Sequence, residues 1–204
     1  MTVRRTTAVC MIAGPLTLTA SIALSPRVVS SAARQLELIA AAPARQYISA
    51  IAALIALALL LGAVLGLAAL TREPRPVDVL IGAALSLVGI VATAASTSLG
   101  LFEWQMTRGS VQRPQMVALL ERLYHSPGLA SVFYFSGLLG IGLAVLALAL
   151  ARAGALWPAA AIALAAGALG IDVGFAVNSL PLALVASLWL VLGLGWAGVQ
   201  ELRR

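Results

Sequence analysis

Six apolar runs, at 8–24, 48–70, 79–101, 131–151, 158–177 and 182–199, alternate with short stretches that hold nearly all the charge. The run at 48–70 contains no charged residue. At 1.5 Å of rise per residue it reaches ~34 Å, enough to cross a ~30 Å hydrocarbon layer with some tilt. Two shorter stretches show helical periodicity instead. Val29, Ala32, Ala33, Leu36 and Ala40 form one stripe, with Arg34 and Glu37 outside it. Met116, Leu119, Leu120, Leu123 and Tyr124 form the other, beside Glu121, Arg122 and His125. The pattern predicts an all-α fold: a six-transmembrane-helix bundle, one membrane domain over 1–204, with two short amphipathic surface helices. Pro43 is expected to end the first surface helix, and Ser126-Pro127-Gly128 the second.

Composition narrows this further. The chain is 62% hydrophobic and 10% charged, where soluble domains carry about 25% charged residues. Its mean hydropathy of +1.04 excludes a water-soluble core of this size. All 13 basic residues are arginines, placed singly or in pairs at the ends of apolar runs. That is the placement of membrane anchors, so the lipid bilayer is the expected partner and nucleic acid is not. The single cysteine, Cys10, permits no intrachain disulfide. The first run has the basic start and the Ala23-Leu24-Ser25 site of a signal peptide, but Pro26 follows at once and disfavours cleavage. A retained first span is expected.

Six spans put both termini on one side, with Arg4, Arg5, Arg72, Arg75, Arg152, Arg203 and Arg204. Arg27, Arg34, Arg45, Arg108, Arg113 and Arg122 fall on the other. The first group is packed into short turns and tails, where arginine most strongly favours the cytoplasm. The expectation is a multi-pass protein of the cell inner membrane with cytoplasmic termini and extracytoplasmic surface helices.

On that topology the polar residues share a depth. Thr17, Thr19, Ser21, Ser49, Thr93, Ser96, Thr97, Ser131, Tyr134, Ser136 and Ser187 all lie in the outer half of their spans, and Asp172 lies six residues before Asn178 at the outer end of span five. An ionisable group inside a bilayer costs at least ~2.5 kcal/mol, so by default it faces a partner or a cavity. Two interpretations follow. The hydroxyls satisfy their own backbone and neighbouring helices. Alternatively, they line an outward pocket around Asp172 and Asn178, with Thr93, Ser96 and Thr97 as its wall and Glu103, Trp104, Tyr124 and His125 at its mouth. One histidine, one cysteine and scattered acids make no metal site, and no nucleophile, phosphate-loop or nucleotide motif is present. No catalytic residue and no cofactor are expected.

Gly14-Pro15-Leu16, Ser25-Pro26, Ala42-Pro43-Ala44-Arg45 and His125-Ser126-Pro127 give the chain its order of features. In these it resembles a broad group of uncharacterised six-span bacterial integral membrane proteins. The resemblance implies a six-helix bundle and supplies no activity. Two functions lead, ahead of an intramembrane enzyme using Glu103, Asp172 and His125, which no motif joins. One is binding or transport of a small apolar or amphipathic molecule, with Asp172 as polar anchor or proton-exchanging group. The other is a structural or accessory subunit, homo-oligomeric or joined to a membrane partner through Gly62/Gly66, Gly170/Gly174 and the glycines at 193–198.

Overall fold

The computed structural model describes residues 2–26, 29, 31–71, 76–108 and 113–203. Of the topology-setting arginines, Arg27, Arg72, Arg75 and Arg204 lie outside the described residues. The helices are α1 (Thr2–Leu24), α2 (Ala32–Ala41), α3 (Pro43–Ala68), α4 (Val77–Met106), α5 (Arg113–Tyr124), α6 (Pro127–Ser136), α7 (Leu138–Arg152), α8 (Pro158–Ala176) and α9 (Leu180–Leu202). No strand occurs among the described residues. Six of these lengths, with α6 and α7 joined, are long and apolar enough to cross a membrane. The chain is a multi-pass integral membrane protein.

The spans pack as a ring, in the order α1, α3, α4, α6–α7, α8, α9 and back to α1. Leucines that are fully buried fill its centre, among them Leu60, Leu67, Leu146, Leu150, Leu164 and Leu194. In lipid there is little hydrophobic drive between helices, so close backbone approach through small residues replaces it. Gly62 faces Cys10 and Gly66 faces Thr7 and Met11, which joins α3 to α1. Gly82, Gly89 and Gly142 bring α4 onto α7 backbone to backbone, and Gly167, Gly174 and Gly193 do the same for α8 and α9.

One end of the ring gathers the termini. Arg4 approaches Glu201 at 3.7 Å, Arg152 approaches Asp78 at 3.9 Å, and Gln200 donates to the Ala155 carbonyl at 3.0 Å. The opposite end carries α2 and α5 as a cap. There Arg45 donates from Nε to the Leu24 carbonyl at 2.7 Å and from Nη2 to Ala23 at 3.1 Å. Those are orphan carbonyls at the C-terminus of α1, where a cation also meets the negative end of the helix dipole.

Two local expectations shift. Pro43 does not simply end α2; after the one-residue break at Ala42 it opens α3 at its first turn, as Pro127 opens α6. The inward stripe of α2 is Ala32, Gln35, Leu36 and Ile39, while Ala33 and Ala40 are exposed. A buried glutamine displaces the all-apolar phase because it meets an acid on α4. The stripe on α5 is narrower than the periodicity suggests: Leu120 is fully buried and Leu119 is 43% exposed.

A paired test follows from the glycine contacts. A Cβ at Gly89 would overlap the Leu139 backbone, reaching 2.5 Å from its Cα, so Gly89→Ala is expected to destabilise by about 1–3 kcal/mol. At Gly195 a Cβ meets nothing within 4 Å, so Gly195→Ala should be neutral or stabilise by up to ~1 kcal/mol. Thermal unfolding in one detergent reads both.

Candidate functional site

The fourth span is broken. Ser136 ends α6, Gly137 interrupts the hydrogen-bond ladder, and Leu138 starts α7. The two pieces pack differently. The α7 piece lies between α4 and α8, whereas α6 lies chiefly against α4. No residue of α6 is buried. Correspondingly, α4 has no buried residue between Ile90 and Glu103. The cap-side half of the bundle is therefore loosely covered, in contrast to the leucine-filled half below it.

Asp172 sits where the two halves meet. Its carboxylate accepts the Gly140 N–H and lies directly against the Gly140 Cα, where any side chain would collide with it. That N–H is free because Gly140 is in the first turn of α7, which lacks preceding carbonyl partners. Below Asp172, the α8 stripe facing α7 is closed: Ala168 is 3% exposed and Ala161 1%. Above it the stripe opens, with Phe175 45% exposed and Ala176 exposed. On α6, Phe133 is 51% exposed. Asp172 thus lies at the level where the α8 face changes from closed to open.

A pocket of about 440 Å³ lies at the end of α8, lined by Ser25, Pro26, Gly174, Phe175, Asn178 and Ser179 among others. Asn178 has φ 52° and closes α8: Ser179 N–H donates to the Gly174 carbonyl at 2.7 Å and Asn178 N–H to Phe175 at 3.1 Å. This is the helix-ending turn in which a left-handed residue is required and asparagine tolerates it.

The sequence-derived residues fall into three groups. Asn178 lines the pocket at the end of α8, and Asp172 lies against Gly140 of α7. The α4 hydroxyls are locally satisfied: Thr93 donates to the Gly89 carbonyl at 2.7 Å and Ser96 to Thr93 at 2.9 Å, and Thr97 is half-buried nearby. No hydrogen bond among the described residues joins them to Asp172. Thr17, Thr19, Ser131, Ser136 and Ser187 likewise bond carbonyls of their own helices. Ser21 and Ser49 differ, each donating to the other's carbonyl at 3.0 Å across α1 and α3.

Glu103 and Tyr124 form the third group, the attachment of the cap. Glu103 is 6% exposed, accepts the Tyr124 hydroxyl at 2.8 Å and also accepts the Gln35 amide. Gln35 in turn accepts the Val29 N–H at 3.1 Å. One carboxylate thus ties α2, α4 and α5 over a small core of Ala32, Leu36 and Leu120. Gln35 is not legible in the sequence as part of this node, since only its burial on the apolar side of α2 marks it. Trp104 packs on Tyr47, centroids 4.8 Å apart, with the Arg108 guanidinium 4.6 Å above its ring. His125 is exposed, and its Nδ1 lies 2.8 Å from the Glu121 carbonyl. Among the described residues no cluster of three histidines, cysteines or acids is placed to hold a metal ion.

No protein-family model matches this chain, and no curated protein or solved structure does.

Burial, then the charge of Glu103 and the bond to it, raise the Tyr124 pKa above the usual phenol range. The fold favours the protonated phenol. Its contribution is thus fully present below the unfolded pKa of ~10 and lost only as pH rises through the higher folded value. Removing the hydroxyl deprives a buried acid of one donor, at a cost of about 1–3 kcal/mol. Tyr124→Phe is expected to speed amide hydrogen exchange in α2 and α5 by at least ~5-fold, with α7 and α9 unchanged. Wild-type protection there should show no loss from this phenol between neutral pH and pH ~9.

Proposed function

We propose that this chain binds a small apolar or amphipathic molecule at the cap-side end of α8, either to carry it across the membrane or to present it. The observation that carries this reading is the change in packing at Asp172. The α8 face is closed below that residue and open above it, and the break at Gly137 sets the level of the change. A ligand site of this kind needs mostly apolar walls and a few polar groups. Phe175 supplies apolar surface, and Asp172 and Asn178 the polar groups.

The arrangement of charge supports an orientation. Arg4, Arg5, Arg152 and Arg203 sit in tails and a short turn at the terminal end, which favours the cytoplasm for both termini. The cap and this end of α8 then face the outer leaflet. A purely structural role draws less support, because most of the small-residue positions that would serve it are used within the chain, Gly195 excepted. Gly62 and Gly66 meet α1, Gly170 and Gly174 meet α9, and Gly193 and Gly198 meet α8 and α1.

Photolabelling in nanodiscs tests the binding reading. A dodecyl chain bearing a diazirine should label positions 172–176 saturably, with labelling competed away by excess unlabelled amphiphile. Labelling at Val91 and Val185, which are 67% and 55% exposed on the outer surface, should rise without saturation. Uniform, non-saturable labelling at all three places would leave no binding site there.

A further inference from the structure

The pocket at the end of α8 is built from three separate pieces of chain. Ser25 and Pro26 come from the end of α1, Val29 from the segment before α2, and the rest from the turn between α8 and α9. Each piece is anchored. Arg45 Nη2 donates to the Ser25 carbonyl at 3.4 Å, the Val29 N–H donates to Gln35 Oε1 at 3.1 Å, and the Ser179 N–H closes the turn on the Gly174 carbonyl at 2.7 Å. The volume of about 440 Å³ falls within the ~300–1,000 Å³ of small-molecule sites. The turn joins two membrane spans, so the pocket stands where the apolar layer meets water.

Two polar side chains of that turn are left unbonded. Most hydroxyls in this chain return to a carbonyl of their own helix, as those of Thr17, Ser98 and Ser131 do. The Ser179 hydroxyl makes no such bond and does not cap α9 either. An N-cap serine bonds the N–H of the second or third helical residue, and here the second is Pro181, which has none. The Asn178 carboxamide enters no hydrogen bond among the described residues. Its left-handed φ of 52° would suit glycine as well, but only asparagine brings an amide to the pocket.

Among the described residues no charged side chain lines the pocket. Arg45, the cation nearest along these bonds, is held by the carbonyls of Ala23, Leu24 and Ser25. A carboxamide and a hydroxyl each donate and accept. Their match is a hydroxyl group, which does both, rather than a phosphate that only accepts or an ammonium that only donates. Phe175, Leu180 and Pro181 give the same pocket an apolar side.

We propose that this pocket takes the uncharged, hydroxyl-bearing headgroup of an amphiphile of the monoacylglycerol kind. The headgroup bonds Asn178 and Ser179, and the chain runs past Phe175 into the apolar layer. This rests on ligand binding at the cap-side end of α8 and adds the seat and the chemistry of the headgroup.

The test uses the full chain in nanodiscs with the dodecyl diazirine as photoprobe and three competitors of equal chain length: monododecanoylglycerol, dodecyl phosphate and dodecyltrimethylammonium. The glycerol ester should displace the probe from positions 174–181 at a concentration at least ~5-fold below either ion. Asn178→Gly keeps the left-handed turn and removes the amide; Ser179→Ala removes the hydroxyl. Each should retain saturable labelling and weaken displacement by the ester about 3–10-fold, with the two ions unaffected. The ester should also slow hydrogen exchange at the Val29 amide by at least ~3-fold, because Val29 forms a wall of the pocket. Equal displacement by all three, or stronger displacement by the phosphate or the ammonium, overturns the inference and leaves binding at α8 in place. So does an ester preference untouched in both variants. Should a variant fail to insert, the wild-type comparison and the exchange at Val29 still decide. Absence of saturable labelling altogether instead removes the binding on which this rests.

Discussion

A bilayer offers no water to a polar group that the chain leaves unbonded, and that constraint sorts every hydrophilic atom in these spans. Most are settled at once. A serine or threonine inside a helix returns its hydroxyl to a carbonyl three or four residues back, as Thr17, Thr93, Ser86 and Ser98 do. Such a group leaves no trace on the architecture. Asp172 cannot be settled in this way, because a carboxylate is acceptor-only when ionised and the carbonyls of its own helix cannot satisfy it. It needs an N–H, and inside a regular helix every N–H is already taken. The chain provides one by interrupting the fourth span at Gly137 and by leaving Gly140 without a side chain, so that the next helix start can touch the acid.

The consequence spreads outward from that contact. Once α6 and α7 are separate pieces, they are free to follow different neighbours: α7 stays wedged between α4 and α8, and α6 goes with α4. The cap-side ends of the helices are tethered separately. They are held by polar links at the rim: Gln46 donating to the Gly100 carbonyl at 3.1 Å, Ser21 against Ser49, Arg45 on the end of α1, and Glu103 drawing α2 and α5 inward. The two halves of the bundle thus use different adhesives. One is glued by glycine-mediated backbone contact around leucines, the other by hydrogen bonds at its edge.

The same division separates what the amino-acid sequence makes legible from what it conceals. The spans are legible because hydropathy over twenty residues is a sum, insensitive to any single position, and both surface helices are legible from periodicity. The ring order is not, since Gly82, Gly142 and Gly167 look alike in sequence and differ only in which backbone they meet. The depth bias of the hydroxyls is real as a pattern, yet hydroxyl content cannot separate a cavity wall from a helix bonding itself. Glu103 and Tyr124 are visible as polar residues near the cap, but their direct bond spans a stretch partly outside any helix and has no sequence signature. Gln35 breaks the apolar stripe of α2 without announcing its partner. The break at Gly137 is hidden altogether: SGLLG reads as continuous helix, and the residue itself keeps right-handed helical angles, φ −62° and ψ −17°.

A break that costs so little backbone distortion is held open by what lies beside it, namely the acid on Gly140 and the pull of α4 on α6. The acid on Gly140 therefore sits where the fourth span changes neighbours, from α8 for the α7 piece to α4 alone for most of α6.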